Sequence, residues 1–173
     1  MSDLPALALS PSFERARTLS GVLRWFFLIN FWVTAVWLAL VPLLLIWPEA
    51  IKYNIDGSLV SVAGQPMPER IYAVAAVMVR TAPALMLLHH AIGVFRSFAR
   101  GEVFAHLPIS HIRACGFWTI IWAFAPSAAQ LILEHHVRIK FEPALLAFGI
   151  ATFIAAYVMG EGVRIADENA SIL

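Results

Sequence analysis

Arg80 is the most chemically conspicuous residue of this sequence, because it interrupts the otherwise apolar stretch 71–95. A guanidinium near the centre of a hydrocarbon layer costs about 2.5–3.5 kcal/mol on insertion scales, so something must compensate it. The candidate partners are Glu134, Gln130 one turn deeper, and the backbone carbonyls loosened by Pro83. Two readings stay open: a buried switch or anion contact, and an arginine that snorkels to the outer interface. The six histidines invite a metal or haem reading, and His89-His90 and His135-His136 are adjacent pairs. Neighbours on a helix point about 100° apart, so neither pair chelates one ion from one face. The topology below also puts the pairs at opposite membrane borders. They read as interfacial histidines, and no metal or cofactor is expected. Cys115 is the single cysteine, which rules out an internal disulfide and fits a small packed hydrophobe.

Catalytic patterns are missing. There is no serine or cysteine nucleophile with a recognisable base, no helical histidine pair around a glutamate and no glycine-rich phosphate cradle. The apolar stretches also lack the carboxylates that mark proton-coupled transport. The chain is therefore expected to be neither an enzyme nor a pump.

The elements that position these residues follow from composition. The chain has 173 residues, 61% hydrophobic and 13% charged, against about a quarter charged in a soluble domain. A net charge of +1 without a dense basic run argues against direct nucleic-acid binding. The predicted fold is all-α: a polytopic membrane protein with four transmembrane helices in one bundle. The whole chain, 1–173, forms one transmembrane domain with spans at about 22–47, 71–95, 112–133 and 143–160. Residues 25–47 carry no charge, and Pro48 ends that span. Ser10-Pro11 starts an interfacial lead-in, and without a basic start before an apolar run the first span serves as its own insertion signal.

Asp56-Gly57, between two β-prone runs, predicts a small extracytoplasmic hairpin, read as a structured linker in preference to a ligand-sensing element. Pro42, Pro83 and Pro126 fall inside spans and predict kinks. Ala73, Ala76, Gly116 and Ala128, with Ala147 and Ala151 four apart, permit close helix contacts within one bundle or in a homodimer. Arg15, Arg17, Arg24, Arg96, Arg100, Arg113 and Arg164 outnumber Lys52, Arg70, Arg138 and Lys140 on the other side. That bias favours an inner-membrane protein with both termini cytoplasmic.

Two polar segments then share the cytoplasmic face. One is the loop 96–111, in which Gly101 caps the second helix, Phe104 tucks under the bundle, and Pro108 and Ser110 mark the start of the third. The other is the tail 161–173, mixing acidic, amide and aliphatic groups. Through Phe98, Gly101, Glu102 and Phe104 in the loop, and Gly162, Ile165, Asp167, Glu168, Asn169 and Ile172 in the tail, the sequence resembles the bacterial membrane family known as domain of unknown function 2975. The resemblance covers the four-helix layout across most of the chain. It departs at the end, where Asn169-Ala170-Ser171-Ile172 stands in place of an aspartate, leucine, threonine, isoleucine run.

Members of that family resemble small membrane proteins encoded beside a compact helix-turn-helix regulator. The resemblance therefore implies a non-enzymatic regulator that binds or sequesters a cytoplasmic DNA-binding partner, as an anti-activator does. Arg100 and Glu102 would orient the partner and Phe104 would pack against it. Gly101, Gly162, Arg164 and Asn169 would complete the surface, with Asp167 and Glu168 pairing with basic groups. The alternative is a small transporter or ligand sensor built on Arg80 and the kinked helices.

Overall fold

The four apolar stretches fold as four long helices in the computed structural model, which describes residues 11–47, 52–55, 58–61, 64–102, 105–134 and 139–171. They are α1 (Pro11–Leu40), α2 (Met67–Ala99), α3 (His106–Glu134) and α4 (Pro143–Ala170). All four are long and apolar enough to cross a membrane. Their lengths of 28 to 33 residues exceed the about 20 needed to span a hydrocarbon core of about 30 Å, so each has turns to spare.

The helices run longer than the expected spans. α1 starts at Pro11, so the lead-in is continuous with the first span. At the other end it gives way at Val41–Leu45 to a 3-10 turn containing Pro42, where α-helical hydrogen bonding cannot continue. α3 begins at His106, ahead of the expected 112, with Pro108 in a first turn that tolerates proline because its N–H groups have no intrahelical acceptor. α4 continues past Gly160 to Ala170, so the described part of the tail is helix.

Between α1 and α2, strands β1 (Lys52–Ile55) and β2 (Ser58–Ser61) pair antiparallel, with Ile55 opposite Ser58 and Lys52 opposite Ser61. Asp56 and Gly57 themselves lie outside the described residues. Gly64, at φ +85°, then turns the chain into α2.

Successive helices are antiparallel. Phe27 stacks on Phe95 while Phe31 meets His89, and along α3 and α4 Gly116 faces Gly149 while Ile109 faces Gly160. The first turn of α1, the last of α2, the first of α3 and the last of α4 thus share one end of the molecule. At that end the Arg17 Nε–H donates to the Ala99 carbonyl at 2.9 Å, satisfying a terminal carbonyl of α2.

The four helices pack side by side in chain order. Among the described residues each helix touches only its neighbour in the chain, α1 on α2, α2 on α3 and α3 on α4, giving an open row. Close crossing between apolar helices needs small residues at the contact. These occur between α3 and α4 at Gly116 and Gly149, whereas Gly21 of α1 has open space beside it. Of the small residues singled out in the sequence, Ala73 and Ala76 are buried, but Ala128, Ala147 and Ala151 point outward. α1 instead exposes Trp25, Phe26, Ile29, Trp32 and Val33, a surface suited to hydrocarbon.

Polar side chains on these helices turn inward on their own backbone. Asn30 donates to the Phe26 carbonyl at 2.8 Å, the fully buried Thr119 to Cys115 at 2.7 Å and Thr152 to Phe148 at 2.8 Å. Bonds of this kind, one turn back, give each of these three side chains an acceptor without water. Pro126 is backed by the α3–α4 connection: the Glu142 N–H donates to the Ala123 carbonyl at 3.0 Å, and the Lys140 N–H donates to the Ser127 hydroxyl at 2.8 Å. That hydroxyl in turn donates to the Lys140 carbonyl.

Candidate functional site

The shared end holds a groove whose two walls come from opposite ends of the sequence's second half. One wall is the first two turns of α3, where His106, Ser110 and Arg113 recur at helical spacing on one face. The other is the end of α4, with Tyr157, Gly160, Glu161, Arg164, Asp167 and Glu168. Ile109, buried between them, is within van der Waals reach of the Gly160 position. The groove encloses about 470 Å³.

Charge spacing keeps the α4 wall helical beyond its apolar part. The Arg164 Nε–H lies 3.2 Å from both Glu161 carboxylate oxygens, its Nη2–H also donates to Glu161, and its Nη1–H donates to Glu168 at 2.7 Å. One guanidinium thus bridges carboxylates three residues before and four after it, the spacing at which helical neighbours meet. Asp167 points the other way, its Oδ2 lying 3.8 Å from His106 Nε2 across the groove. With three carboxylates against the internally engaged Arg164, the α4 wall is net acidic. Arg113 and His106 face it from α3.

The partner-binding residues proposed from sequence fall into two groups. Arg164, Asp167 and Glu168 line the groove, while Gly162 and Asn169 are exposed on the same last turns. Arg100, Gly101 and Glu102 belong to the α2–α3 turn and lie outside the groove lining. Gly101, at φ +84°, completes the expected cap: its N–H donates to Phe98 at 3.0 Å and the Glu102 N–H to Ser97 at 3.1 Å, the paired bonds of a Schellman motif. Phe104 lies outside the described residues. His106 and Ser110 fall within the loop 96–111 and Glu161 within the tail 161–173 without having been singled out for partner binding, and Arg113 lies beyond the loop, although the i, i+4, i+7 pattern of His106, Ser110 and Arg113 was present in the sequence.

Arg80 is half-buried and lines a cleft of about 300 Å³ with Pro126, Ile139, Lys140, Phe141 and Glu142 at the opposite end of the molecule. Of its expected partners, Gln130 is buried on α3, and nothing is described of the Glu134 side chain. Glu142, which the sequence reading did not consider, is the acidic residue sharing the cleft.

The histidines are arranged across helices and not by sequence pairs. His90 Nδ1 lies 3.2 Å from His111 Nδ1, and the His89 ring meets His90 edge-on with centroids 5.2 Å apart. His90 and His111 flank Gly101 at nearly equal sequence distance, so the antiparallel α2–α3 pair brings them level. His135 and His136 lie outside the described residues. Among the described residues no three histidine, cysteine or carboxylate side chains converge on a metal-sized site. Compared with known proteins, the chain matches no protein-family model, no curated protein and no solved structure.

Proposed function

We propose that this chain is a non-enzymatic protein of the bacterial inner membrane that docks a cytoplasmic protein partner in the groove between the start of α3 and the end of α4. The observation that carries this reading is the approach of His106 and Asp167 to 3.8 Å, which joins the α2–α3 segment and the tail into one polar surface. The arginines Arg15, Arg17, Arg24, Arg96, Arg100, Arg113 and Arg164 cluster towards that end, and the positive-inside rule assigns it to the cytoplasm. The hairpin between α1 and α2 then lies outside. By its likeness to the family of small membrane proteins encoded beside helix-turn-helix regulators, the partner is a DNA-binding regulator. Its basic surface complements the acidic α4 wall, and groove and DNA then compete for it. Holding the regulator at the bilayer lowers its free concentration by mass action.

Photo-crosslinking in cells tests this. A photoreactive residue at Asp167 is expected to trap a cytoplasmic helix-turn-helix protein, identified by mass spectrometry, and one at the outward-facing Phe148 is not. Identical adducts at both positions, or none at Asp167, would overturn the reading.

A second reading rests on the Arg80 cleft, where Arg80, Lys140 and Glu142 meet beside Pro126. Two cations in one recess suit an anionic ligand, as a small transporter or sensor requires. Loss of a ligand response in Arg80→Ala, with Asp167 adducts unaffected, would favour it.

A further inference from the structure

His90 and His111 lie outside the groove, yet His111 belongs to the same two turns of α3 that supply His106, Ser110 and Arg113 to its wall. With Nδ1 atoms 3.2 Å apart, a hydrogen bond forms only when one Nδ1 carries a hydrogen and the other is bare. The neutral pair meets that condition, as does the pair carrying one added proton. The doubly protonated pair does not, because both Nδ1 atoms then carry hydrogens and both rings are cations.

His111 has no room to withdraw towards α2. The His111 imidazole lies directly against the α2 backbone at Gly93, where even a Cβ would come within 2.7 Å of it. His90, half-buried, meets the rings of His89 and His111, with centroids 5.2 and 5.5 Å away. With His111 blocked on its α2 side, repulsion between the two imidazoles pushes α3 away from α2.

The surroundings do not offset a second charge. From α2 the other titratable neighbour is His89. From α3 it is Cys115, one turn on, whose thiol points at the Leu87 carbonyl 3.9 Å away. From α1, Phe31 meets His89 and Phe27 stacks on Phe95. The charged residues nearest in these helices are the cations Arg24, Arg96 and Arg113. The carboxylates of α1, α2 and α3 are Glu14, Glu69 and Glu134, all near helix ends.

We infer that the His90–His111 contact is a proton-operated clasp between α2 and α3, closed when at most one proton is added and open when two are. It sets the position of the groove wall formed by His106, Ser110 and Arg113. Its consequence for partner binding rests on the docking reading; the clasp itself does not.

The test uses the full chain in lipid nanodiscs, with Cys115→Ser and spin labels on Arg100→Cys and Leu107→Cys, at the facing ends of α2 and α3. Dipolar broadening is followed from about pH 7.5 to about pH 4.5, either side of the unperturbed imidazole value of about 6.5. The clasp predicts a reversible loss of broadening on acidification, abolished in His90→Gln and in His111→Gln and kept in His89→Gln and His106→Gln. A spectrum unchanged across the range would overturn it, as would a transition removed by His106→Gln instead. Should His90→Gln and His111→Gln fail to insert, the variants at the exposed His89 and His106 still decide, since a transition kept in both supports the clasp and one lost in either overturns it. No partner is present in the measurement, so failure of the docking proposal leaves its outcome untouched.

Discussion

Gly116 of α3 and Gly149 of α4 lie backbone to backbone. A Cβ on Gly116 would stand 2.9 Å from the Gly149 carbonyl oxygen, and one on Gly149 would stand 3.0 Å from the Gly116 carbonyl oxygen. In an apolar medium no water-driven force brings helices together, so close packing of this kind carries the association.

Gly116→Ala must push backbone against backbone, since its new methyl also meets the Phe153 amide nitrogen at 2.9 Å. Overpacking of this kind costs about 1–3 kcal/mol. Reversible unfolding in mixed micelles should show that loss. Gly162→Ala, with nothing within 4 Å of the added methyl, should be neutral or slightly stabilising. Equal effects at the two sites would mean that the crossing is not where the helices are held.

Gly101→Ala places a side chain at φ +84°, which costs about 1 kcal/mol for an L residue. Gly101→Asn should cost less, because asparagine tolerates the left-handed region. Hydrogen exchange of the Gly101 and Glu102 amides, which close the cap on Phe98 and Ser97, should rise in the order glycine, asparagine, alanine.

Ser127→Ala removes both hydrogen bonds to the Lys140 backbone while leaving the Glu142 bond to Ala123 in place. Each such bond contributes about 0.5–1.5 kcal/mol net. The expected result is faster exchange at Lys140 with little change at Glu142. Unchanged exchange at Lys140 would show that the serine does not hold the connection.

Arg164→Ala leaves Glu161 and Glu168 without their shared cation on the last turns of α4. Amide exchange over residues 164–171 should accelerate, and partner adducts at Asp167 should fall with it. Asp167→Lys should leave exchange unchanged and abolish capture of a basic partner. Capture that survives the charge reversal would count against electrostatic docking.

Helix number and type were legible because uncharged runs such as 25–47 are long enough to announce themselves without tertiary information. The Gly101 cap was legible for the same local reason, since only the chain around it decides the sign of φ. Helix ends were less so: the α4 tail looks too polar to continue an apolar helix until Glu161, Arg164 and Glu168 are seen to tie its turns together. The histidine contact depended on register between two helices, a long-range property that adjacent pairs such as His89-His90 disguise. Partners for Arg80 were sought along neighbouring spans, whereas Glu142, which shares its cleft, comes from the connection that follows α3.

A row in which every helix touches only those before and after it in the chain places no demand on order other than that of synthesis. Were the chain inserted span by span, each helix would find its neighbour already in place, and none would be held open for a later arrival. α1, packed only on α2, is then the segment whose detachment would disturb the rest least.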